Sequence, residues 1–314
     1  MSSEFIPKVF LSGGLGNQLF QLAAGLQLSS KFMVLNTSQL GQSFELESFI
    51  RFLEKKRDIN IVVETTKPTI TFQKAHNYLL RSKTWRSKCR ILNALMKISI
   101  KVSFFFSGVK PQNVFIEGSE FDNRTSSLQK RRQLIVIGYF QQESIASEIR
   151  RDLIEFLDMT FEMLPPKDMS QFSSQLLVHI RKGDYVTEEG IGMLSMSYFL
   201  QALADFQNMN EISTINLFTN GKIEPFELQN ISEFGNLIQY DSDSAIKLLA
   251  MMRQCENFLI SNSTLSWWAA YLSTNSRKQV VAPTPWFRKL PEPINLIPKD
   301  WIRSPAIWDL GNES

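Results

Sequence analysis

The chain has 314 residues, of which 43% are hydrophobic and 21% are charged, and its formal net charge is +3. This length favours two domains over a single small core, and the composition excludes both a disordered chain and a membrane-spanning bundle. The small net charge gives no reason to expect nucleic acid as a partner.

The N-terminal part begins with a predicted strand, a Gly-rich turn and a helix. An apolar run at 9–11 stops at Gly13, Gly14 and Gly16, apolar residues then recur at helical spacing up to Leu28, and a strand follows at 31–35. This order predicts a parallel sheet. Further along, the pattern predicts helices around 72–103, strands near 113–116 and over 134–140, and a helix over about 144–156.

A linker is predicted at 161–174, and a second alternation of strands and helices follows it. Its strands are predicted at 176–180, 215–219, 237–240, 257–260 and 280–281, and its helices at 197–206, 244–252 and 265–272. This alternation predicts a second parallel α/β domain. We therefore expect an N-terminal domain over 1–165 and a C-terminal domain over 166–314, whose last residues can pack back on the first domain.

A basic segment separates the first predicted strands from the middle of the chain. No Asp or Glu lies between Glu64 and Glu117, whereas ten Lys and Arg residues alternate with apolar ones there. Such a segment is typical of peripheral contact with an anionic membrane, here through basic residues 67–110. The alternative is a solvated basic face on an ordinary core helix.

Cysteine and histidine are scarce. The chain has only two cysteines, Cys89 and Cys255, which are far apart in sequence. This favours a reducing compartment, and a single disulfide between them is the alternative. The two histidines, His76 and His179, form no cluster with metal-ligand spacing, so we expect no metal. Residues 1–8 lack the apolar core of a signal peptide, and the run at 102–109 is far shorter than the roughly 20 residues that span a bilayer. We expect a cytoplasmic protein, with peripheral contact at the inner membrane left open.

Polar or Gly-rich groups follow four predicted strands, at 13–18, 181–185, 219–221 and 261–266. In open parallel sheets, ligands bind outside the carboxyl ends of the strands. The guanidinium of Arg181 matches two phosphate oxygens, Gly183 permits close backbone approach, and Asp184 can accept a proton or hold a cation. The alternative is that Arg181 and Asp184 form an ordinary ion pair on the surface at the end of the strand, without a functional role.

The group at 261–266 lies between a strand and a helix. Its Ser, Asn and Thr residues are typical N-caps, and the free amides at such a helix start also attract anions. The residues favour capping and anion binding about equally. Trp267 and Trp268 are adjacent, so we expect that they do not both face inward and that one of them packs against the sheet.

Two further patterns give weaker indications. The glycines at 13–16 fail the dinucleotide fingerprint because Leu19 takes the third glycine position and the next strand ends at Asn36, without an acidic residue. What remains is a tight turn that presents Asn17 and Gln18 at a helix start. Residues 241–243 match a two-carboxylate metal pattern, but Asp243 or Ser244 would equally serve as an N-cap.

Six segments in order together resemble the motifs of glycosyltransferase family 11, the α-1,2-fucosyltransferases: residues 13–21, 138–141, 178–185, 194–195, 261–268 and 282–283. The resemblance implies an α/β GT-B architecture, in which two Rossmann-like domains face each other across a central cleft with parallel sheets. It implies an inverting, metal-independent transfer of L-fucose from GDP-fucose, without a cofactor, to the 2-hydroxyl of a galactoside. The acceptor would be a galactose-containing surface glycan, free or lipid-linked.

The resemblance also implies roles for individual residues. Arg181 would stabilise charge on the leaving diphosphate, and Asn17 would lie between donor and acceptor. Asp184 would either take the acceptor proton or hold Arg181. The residues that would bind the donor are His179, Lys182, Gly183, Asn220, Asn262, Ser263, Thr264, Ser266, Gly14 and Gly16.

Three positions depart from the family pattern. Lys182 stands where a second Arg is common, Asn220 where Asp is common, and Asn36 where Asp is usual. These departures leave open a related enzyme with another linkage or another GDP-sugar. They also leave open a catalytically inactive GDP-sugar-binding protein.

Overall fold

The computed structural model describes residues 5–40, 44–66, 98, 102, 114–117, 133–161, 175–186, 188 and 190–310. The chain divides into two compact units. The N-terminal unit comprises Met1–Phe156 and Pro293–Leu296, and the C-terminal unit comprises Leu157–Glu292 and Ile297–Ser314. The predicted linker lies outside the described residues except for Phe161, as do almost all of the helices predicted around 72–103 and of the basic segment 67–110.

The N-terminal unit contains a five-stranded parallel sheet in the order β3-β2-β1-β5-β4. Its strands are β1 (Ile6–Phe10), β2 (Phe32–Asn36), β3 (Asn60–Glu64), β4 (Val114–Ile116) and β5 (Gln133–Ile137). Its described helices are α1 (Leu15–Leu28), α2 (Glu47–Arg57) and α3 (Glu143–Thr160), the last of which continues into the C-terminal unit.

Helix α1 is almost entirely buried and packs closely on the sheet. At Gly25, a Cβ atom would lie 2.2 Å from Met33 Cε and 3.0 Å from Val9 Cγ2. Only a glycine allows the helix this near approach to β1 and β2. The close packing holds α1 against β1 and β2.

Helices α2 and α3 are joined by ion pairs. Arg57 donates to Glu148 over 2.7 Å and to the nearly buried carboxylate of Asp152 over 2.5 Å. Despite burial, which acts in the opposite direction, hydrogen bonds from Lys56 and Arg57 lower the pKa of Asp152. The pairing keeps the buried carboxylate ionised, as burial of a charge requires.

The C-terminal unit contains a six-stranded parallel sheet in the order β11-β10-β9-β6-β7-β8. Its strands are β6 (Gln175–Ile180), β7 (Thr214–Thr219), β8 (Asn236–Tyr240), β9 (Asn257–Leu259), β10 (Val280–Thr284) and β11 (Ile302–Pro305). Its helices are α4 (Met196–Gln207), α5 (Pro225–Ser232), α6 (Ala245–Met252) and α7 (Thr264–Leu272). The predicted α/β class with two parallel sheets is confirmed.

Two predicted strand ends were wrong. The strand predicted over 134–140 ends at Ile137, because the chain turns at Gly138 and Phe140 adopts a left-handed φ of 53°. Strand β10 continues through Pro283 to Thr284, although a proline has no amide to donate. It can do so because the pairing of β10 with β9 ends at Val281, leaving only β11 alongside Pro283.

The expectation that only one of the adjacent tryptophans packs inward was also wrong. Trp267 and Trp268 are both fully buried. Trp267 stacks on Tyr271 at 4.7 Å between ring centroids and contacts the ring of Trp301 at 5.8 Å. Helix α7 is therefore covered on more than one side, and opposite faces of it can both carry large apolar side chains.

Among the described helices, none combines the length and the apolar character needed to cross a bilayer. The peripheral membrane contact through residues 67–110 stays a prediction. Cys255 is a buried free thiol, and burial raises its pKa to about 12. Its possible partner, Cys89, lies outside the described residues.

Candidate active site

Each sheet has one place where the strand order reverses. If the six strands of the C-terminal sheet are renumbered 1 to 6 in chain order, starting with β6, their order in the sheet from β8 to β11 is 3-2-1-4-5-6. The strand order therefore reverses between β6 and β9. In the N-terminal sheet it lies between β1 and β5. Connections leave such a point toward opposite sides, so a crevice opens at the carboxyl ends of the two strands, where ligands bind in this class of fold.

The predicted group at 181–185 and the group at 261–266 follow β6 and β9, so both lie at the C-terminal reversal. His179 joins them, since its Nδ1 lies 2.9 Å from the Ser261 hydroxyl and both side chains are buried. Burial and, secondly, the charge of Arg181 lower the pKa of His179 to about 3. The imidazole is therefore neutral at physiological pH and serves as a hydrogen-bonding link rather than a cation.

Arg181 packs against an aromatic ring that sequence reasoning did not select. Its guanidinium carbon lies 5.2 Å from the ring centroid of Tyr185, within the range of a cation–π contact. The Tyr185 hydroxyl donates to the backbone carbonyl of Asn262 over 3.3 Å. Tyr185 thus connects the cation after β6 to the segment after β9.

Asn262 fastens a third segment to the same place. Its Nδ2 donates over 2.9 Å to the carbonyl of Gly192, in the loop before α4, and the residue is 1% exposed. Its Oδ1 is buried and has no partner among the residues that the structure describes. Buried acceptors usually have a donor, so this oxygen is suited to a ligand or a water molecule.

The N-terminus of α7 is capped differently from that of α6. At α6, the Ser244 side chain accepts from the Lys247 amide, which confirms the predicted N-cap. At α7, the N-cap Ser263 makes no side-chain capping bond. The first-turn amides of α7, which begins at Thr264, are therefore not occupied by their own cap, and the helix dipole adds positive potential there.

Ser266 and Asp184 are two further residues that were predicted for the site. The Ser266 hydroxyl is fully buried and donates over 3.1 Å to the carbonyl of Ser263, so it stabilises the first turn of α7. Asp184 lies in a short 3₁₀ turn, Gly183–Val186. Its role as base or as partner of Arg181 stays a prediction.

Lys182, one of the departures, is held by an ion pair. Its Nζ lies 2.7 Å and 3.0 Å from the two carboxylate oxygens of Glu227, in the first turn of α5. The same carboxylate accepts from the Glu224 amide over 2.8 Å and completes a capping box. Pro225 at the first helical position favours this helix start, but α5 was not among the predicted helices.

Asn220 fixes the turn after β6. Its Oδ1 accepts from the Lys182 amide over 2.9 Å. Gly183 adopts a φ of 25°, and a Cβ atom there would lie 2.4 Å from Asn220 Nδ2. The turn therefore requires glycine at 183 and an acceptor at 220, which asparagine supplies as well as aspartate.

The strand-order reversal between β1 and β5 brings the motifs 13–21 and 138–141 together. Asn17, in the first turn of α1, accepts over 2.9 Å from Gln141 Nε2, in the segment after β5. Gln21 donates over 2.8 Å to the Gly138 carbonyl and accepts from the Ser12 amide over 2.9 Å. Sequence reasoning missed both glutamines as site residues, although a buried polar residue within a motif indicates such a link.

Gly14 and Gly16 open α1. Gly14 is the exposed N-cap residue, and its carbonyl accepts from the amides of Asn17 and Gln18. Gly16 is buried within the first turn. Both belong to the turn that carries Asn17, and they lie in the N-terminal unit, whereas the other predicted donor-binding residues lie in the C-terminal unit.

Asn36, the third departure, is fully buried and fully hydrogen bonded. Its Nδ2 donates over 2.6 Å to Glu64 and over 3.0 Å to the Thr66 carbonyl, and its Oδ1 accepts from the Ser38 amide. Despite burial, hydrogen bonds from Lys8 and Asn36 lower the pKa of Glu64. An aspartate at 36 would place a second carboxylate beside Glu64, so the amide suits this site.

The pair Asp241 and Asp243 shows no sign of a metal site. Asp241 accepts from the Ser242 amide over 2.8 Å, and both aspartates are exposed. Across the described ranges, no group of three or more His, Cys, Asp or Glu side chains is placed to hold a metal ion.

Comparison with known proteins identifies the family of the chain. The family model described as glycosyl transferase family 11 matches residues 7–302. The O-antigen biosynthesis glycosyltransferase WbnK of Escherichia coli is 26% identical, over 88% of this chain and 93% of that protein. An alpha-1,2-colitosyltransferase of Escherichia coli is 24% identical, over 93% of this chain and 97% of that protein.

Among solved structures, the fucosyltransferase NodZ from Bradyrhizobium has a TM-score of 0.43 at 13% identity, covering 86% of this chain and 93% of that chain. A likeness this distant adds nothing to the assignment. The family model alone spans nearly the whole sequence, and four of the six motifs it covers adjoin the strands at the two strand-order reversals: 13–21, 138–141, 178–185 and 261–268. The chain belongs to glycosyl transferase family 11 and is a glycosyltransferase.

Proposed function

We propose that this glycosyltransferase transfers L-fucose from GDP-fucose to the 2-hydroxyl of a galactoside, with inversion and without a metal ion. One observation carries the proposal. The strand-order reversal between β6 and β9 brings Arg181 and the uncapped N-terminus of α7 to the same edge of the sheet. A fixed cation and a row of free amides are what a leaving diphosphate requires.

In the proposed reaction, the acceptor oxygen bonds to the anomeric carbon of fucose while the bond from that carbon to the phosphate oxygen breaks. GDP leaves with the bonding electrons, so negative charge grows on its terminal phosphate. Arg181 meets this charge with a guanidinium whose planar fork of donors matches phosphate oxygens. Ser263, Thr264 and the first amides of α7 hold the other phosphate oxygens.

The acceptor hydroxyl loses its proton during this step, so a base is needed. Asp184 is the candidate base, since it lies three residues after Arg181, in the 3₁₀ turn Gly183–Val186. The alternative role, in which Asp184 holds Arg181, stays open within the proposal. His179 is not the base in this proposal, because it is buried and a pKa of about 3 makes its imidazole a weak proton acceptor.

The departures from the family pattern do not favour an inactive protein. Lys182 and Asn220 each have a structural partner, in Glu227 and in the Lys182 amide. Lys182 therefore acts in this proposal by shaping the turn beside Arg181 rather than by holding a phosphate. The donor is bound by His179, Gly183, Asn262, Ser263 and Thr264 around Arg181.

A second candidate keeps the linkage and changes the sugar. The relative named as an alpha-1,2-colitosyltransferase is about as similar as the relative that acts in O-antigen biosynthesis. A colitosyl donor is therefore the specific alternative to fucose. A surface polysaccharide such as the O-antigen is the proposed product in either case.

The test supplies GDP-fucose with a panel of β-galactosides, follows the release of GDP, and determines the linkage of the product by NMR. Turnover with an α-1,2 product is expected, and Arg181→Ala should abolish it. Turnover only with a GDP-colitose donor would replace the first candidate with the second. Tight GDP binding without turnover of either donor would contradict both.

A further inference from the structure

The side-chain amide of Asn17 is held from one side. Gln141 Nε2 donates to Asn17 Oδ1 over 2.9 Å, and Gln141 is only 4% exposed. Because this donor occupies the Asn17 oxygen, the amide nitrogen of Asn17 points away from Gln141. Asn17 lies in the first turn of α1, which follows β1, and Gln141 lies in the segment after β5, and these two strands are neighbours in the sheet.

The amide nitrogen of Asn17 lies beside Gly13. A Cβ atom at Gly13 would lie 2.6 Å from Asn17 Nδ2, so the space over this nitrogen is free of side chain only because residue 13 is glycine. Gly13 and Gly14 are both exposed. No acceptor for Asn17 Nδ2 is found among the described residues, so this donor is available to a ligand.

Gln141 is itself fixed by the surrounding turns. Gln21 ties the Gly138 carbonyl to Ser12, which joins the segment before Gln141 to the turn before Asn17. Gln141 Oε1 is buried without a partner among the described residues. Rotating both amides would instead bury an unpaired N–H donor, and orphaned donors are rarer than under-satisfied carbonyls.

We propose that Gln141 is a positioning residue that turns Asn17 so that its Nδ2 donates a hydrogen bond to a sugar oxygen of the substrate. The identity of that sugar rests on the proposed function, whereas the orientation of Asn17 rests on the contacts above. Gln141 does not touch the substrate in this proposal. It acts by determining whether the side chain of Asn17 presents its donor, Nδ2, or its acceptor, Oδ1, to the substrate.

The substitution Gln141→Glu tests the orientation directly. An ionised carboxylate only accepts, so Asn17 must turn its Nδ2 toward the new carboxylate and present Oδ1 to the substrate. Protonation of that carboxyl group restores the donor, and burial raises the pKa of such a group toward neutrality. We expect kcat to fall by roughly 10-fold to 100-fold at pH 8 with little change in the KM for GDP-fucose, and to recover as the pH is lowered to about 6.

Two variants separate this effect from a structural defect. Gln141→Leu cannot donate at any pH, so its activity should stay low throughout and show no recovery. Gln229→Glu places the same charge on an exposed residue of α5 and should follow the wild-type pH profile. A Gln141→Glu profile parallel to that of the wild type would overturn the inference and leave the proposed function intact.

If the wild-type protein turns over no GDP-fucose, the proposed function fails and a second measurement decides the inference. Urea denaturation followed by far-UV circular dichroism gives the midpoints of Asn17→Ala, Gln141→Ala and the double variant. Midpoint shifts that do not add indicate that the two residues are coupled, as we expect. Additive shifts would show that Gln141 does not hold Asn17.

Discussion

The Nδ1 atom of His179 lies 2.9 Å from the Ser261 hydroxyl, so one buried hydrogen bond joins the carboxyl ends of β6 and β9. Arg181 lies two residues after His179, and the N-cap of α7 lies two residues after Ser261. The separation of the cation from the helix N-terminus therefore depends on this bond. In the proposed function, His179 therefore acts as a neutral spacer rather than as a charge.

Stability should fall in acid because of His179. Its pKa in the folded protein is about 3, below the ordinary value of 6.5, so between these values the unfolded chain binds a proton that the folded protein does not. The free energy of unfolding is thus lost as the pH falls from 6.5 toward 3, by at most about 1.4 kcal/mol per pH unit. Urea denaturation of the wild type and of His179→Gln at pH 5 and pH 7 measures how much of the pH dependence of the free energy of unfolding is due to His179. An equal pH dependence in both proteins would contradict the assignment.

The ion pair between Lys182 and Glu227 should be measurable, whereas a nearby exposed pair should not. Lys182 and Glu227 have side chains that are 22% and 12% exposed, and those of Lys222 and Glu224 are 80% and 44% exposed. We expect a double-mutant cycle of Lys182→Met and Glu227→Gln to give a coupling of about 0.5–1 kcal/mol, since glutamine preserves the capping box.

The matched cycle uses Lys222→Met and Glu224→Gln and should give a coupling near zero. Both cycles are read from urea denaturation midpoints. Equal couplings would show that partial burial does not strengthen the Lys182 pair, and the turn after β6 would then lack its proposed support.

Arg181→Lys should impair turnover far more than stability. Lysine keeps the charge but lacks the planar fork that binds two phosphate oxygens. We expect kcat for GDP release to fall by roughly 100-fold, which is typical for losing one group that stabilises developing charge. Arg51→Lys, at an exposed pair on α2, should leave kcat unchanged. A fall of less than about 3-fold for Arg181→Lys would remove Arg181 from its assigned role.

Asn36→Asp should destabilise the N-terminal unit at neutral pH. The new carboxylate would lie beside Glu64 in a buried position, so the pKa values of the pair would rise in the folded protein. We expect a loss of about 1–3 kcal/mol at pH 7 that shrinks as the pH falls toward 4, where one carboxyl group becomes protonated. Circular dichroism during urea denaturation measures this loss.

Asn275→Asp is the control for this substitution. Asn275 Oδ1 accepts from the Arg277 amide over 3.0 Å, a contact that aspartate preserves, and its Nδ2 makes only a long contact of 3.5 Å to the Glu256 carbonyl. Its stability should match that of the wild type at both pH values. A loss at Asn36→Asp that does not depend on pH would indicate a steric cause instead of charge repulsion.

The strands and helices with strong apolar runs were predictable from the sequence. Strand β6 and helix α4 lie within one residue of their predicted limits, since their burial patterns follow the apolar pattern directly. Strand β3 was missed because it is half exposed and carries Asn60 and Glu64 at its ends. Strand β11 was missed because it is short, largely exposed and ends in Pro305.

The site was predictable only in part, for a physical reason. The carboxyl ends of parallel strands carry the ligand-binding groups, so Arg181 and the segment after β9 stood out from the pattern alone. Hydrogen bonds between segments far apart in sequence leave no periodic pattern. The link from Asn17 to Gln141 spans 124 residues, and the support of Lys182 by Glu227 spans 45.

The burial of large indole rings around α7 has a spectroscopic consequence. Of the six tryptophans in the chain, Trp267, Trp268, Trp286, Trp301 and Trp308 belong to the C-terminal unit. The first three of these are fully buried, so their emission should shift to the red when this unit unfolds. Intrinsic fluorescence will thus report mainly on the half of the chain that carries Arg181. If the two units unfold at different denaturant concentrations, the fluorescence and circular dichroism transitions will separate.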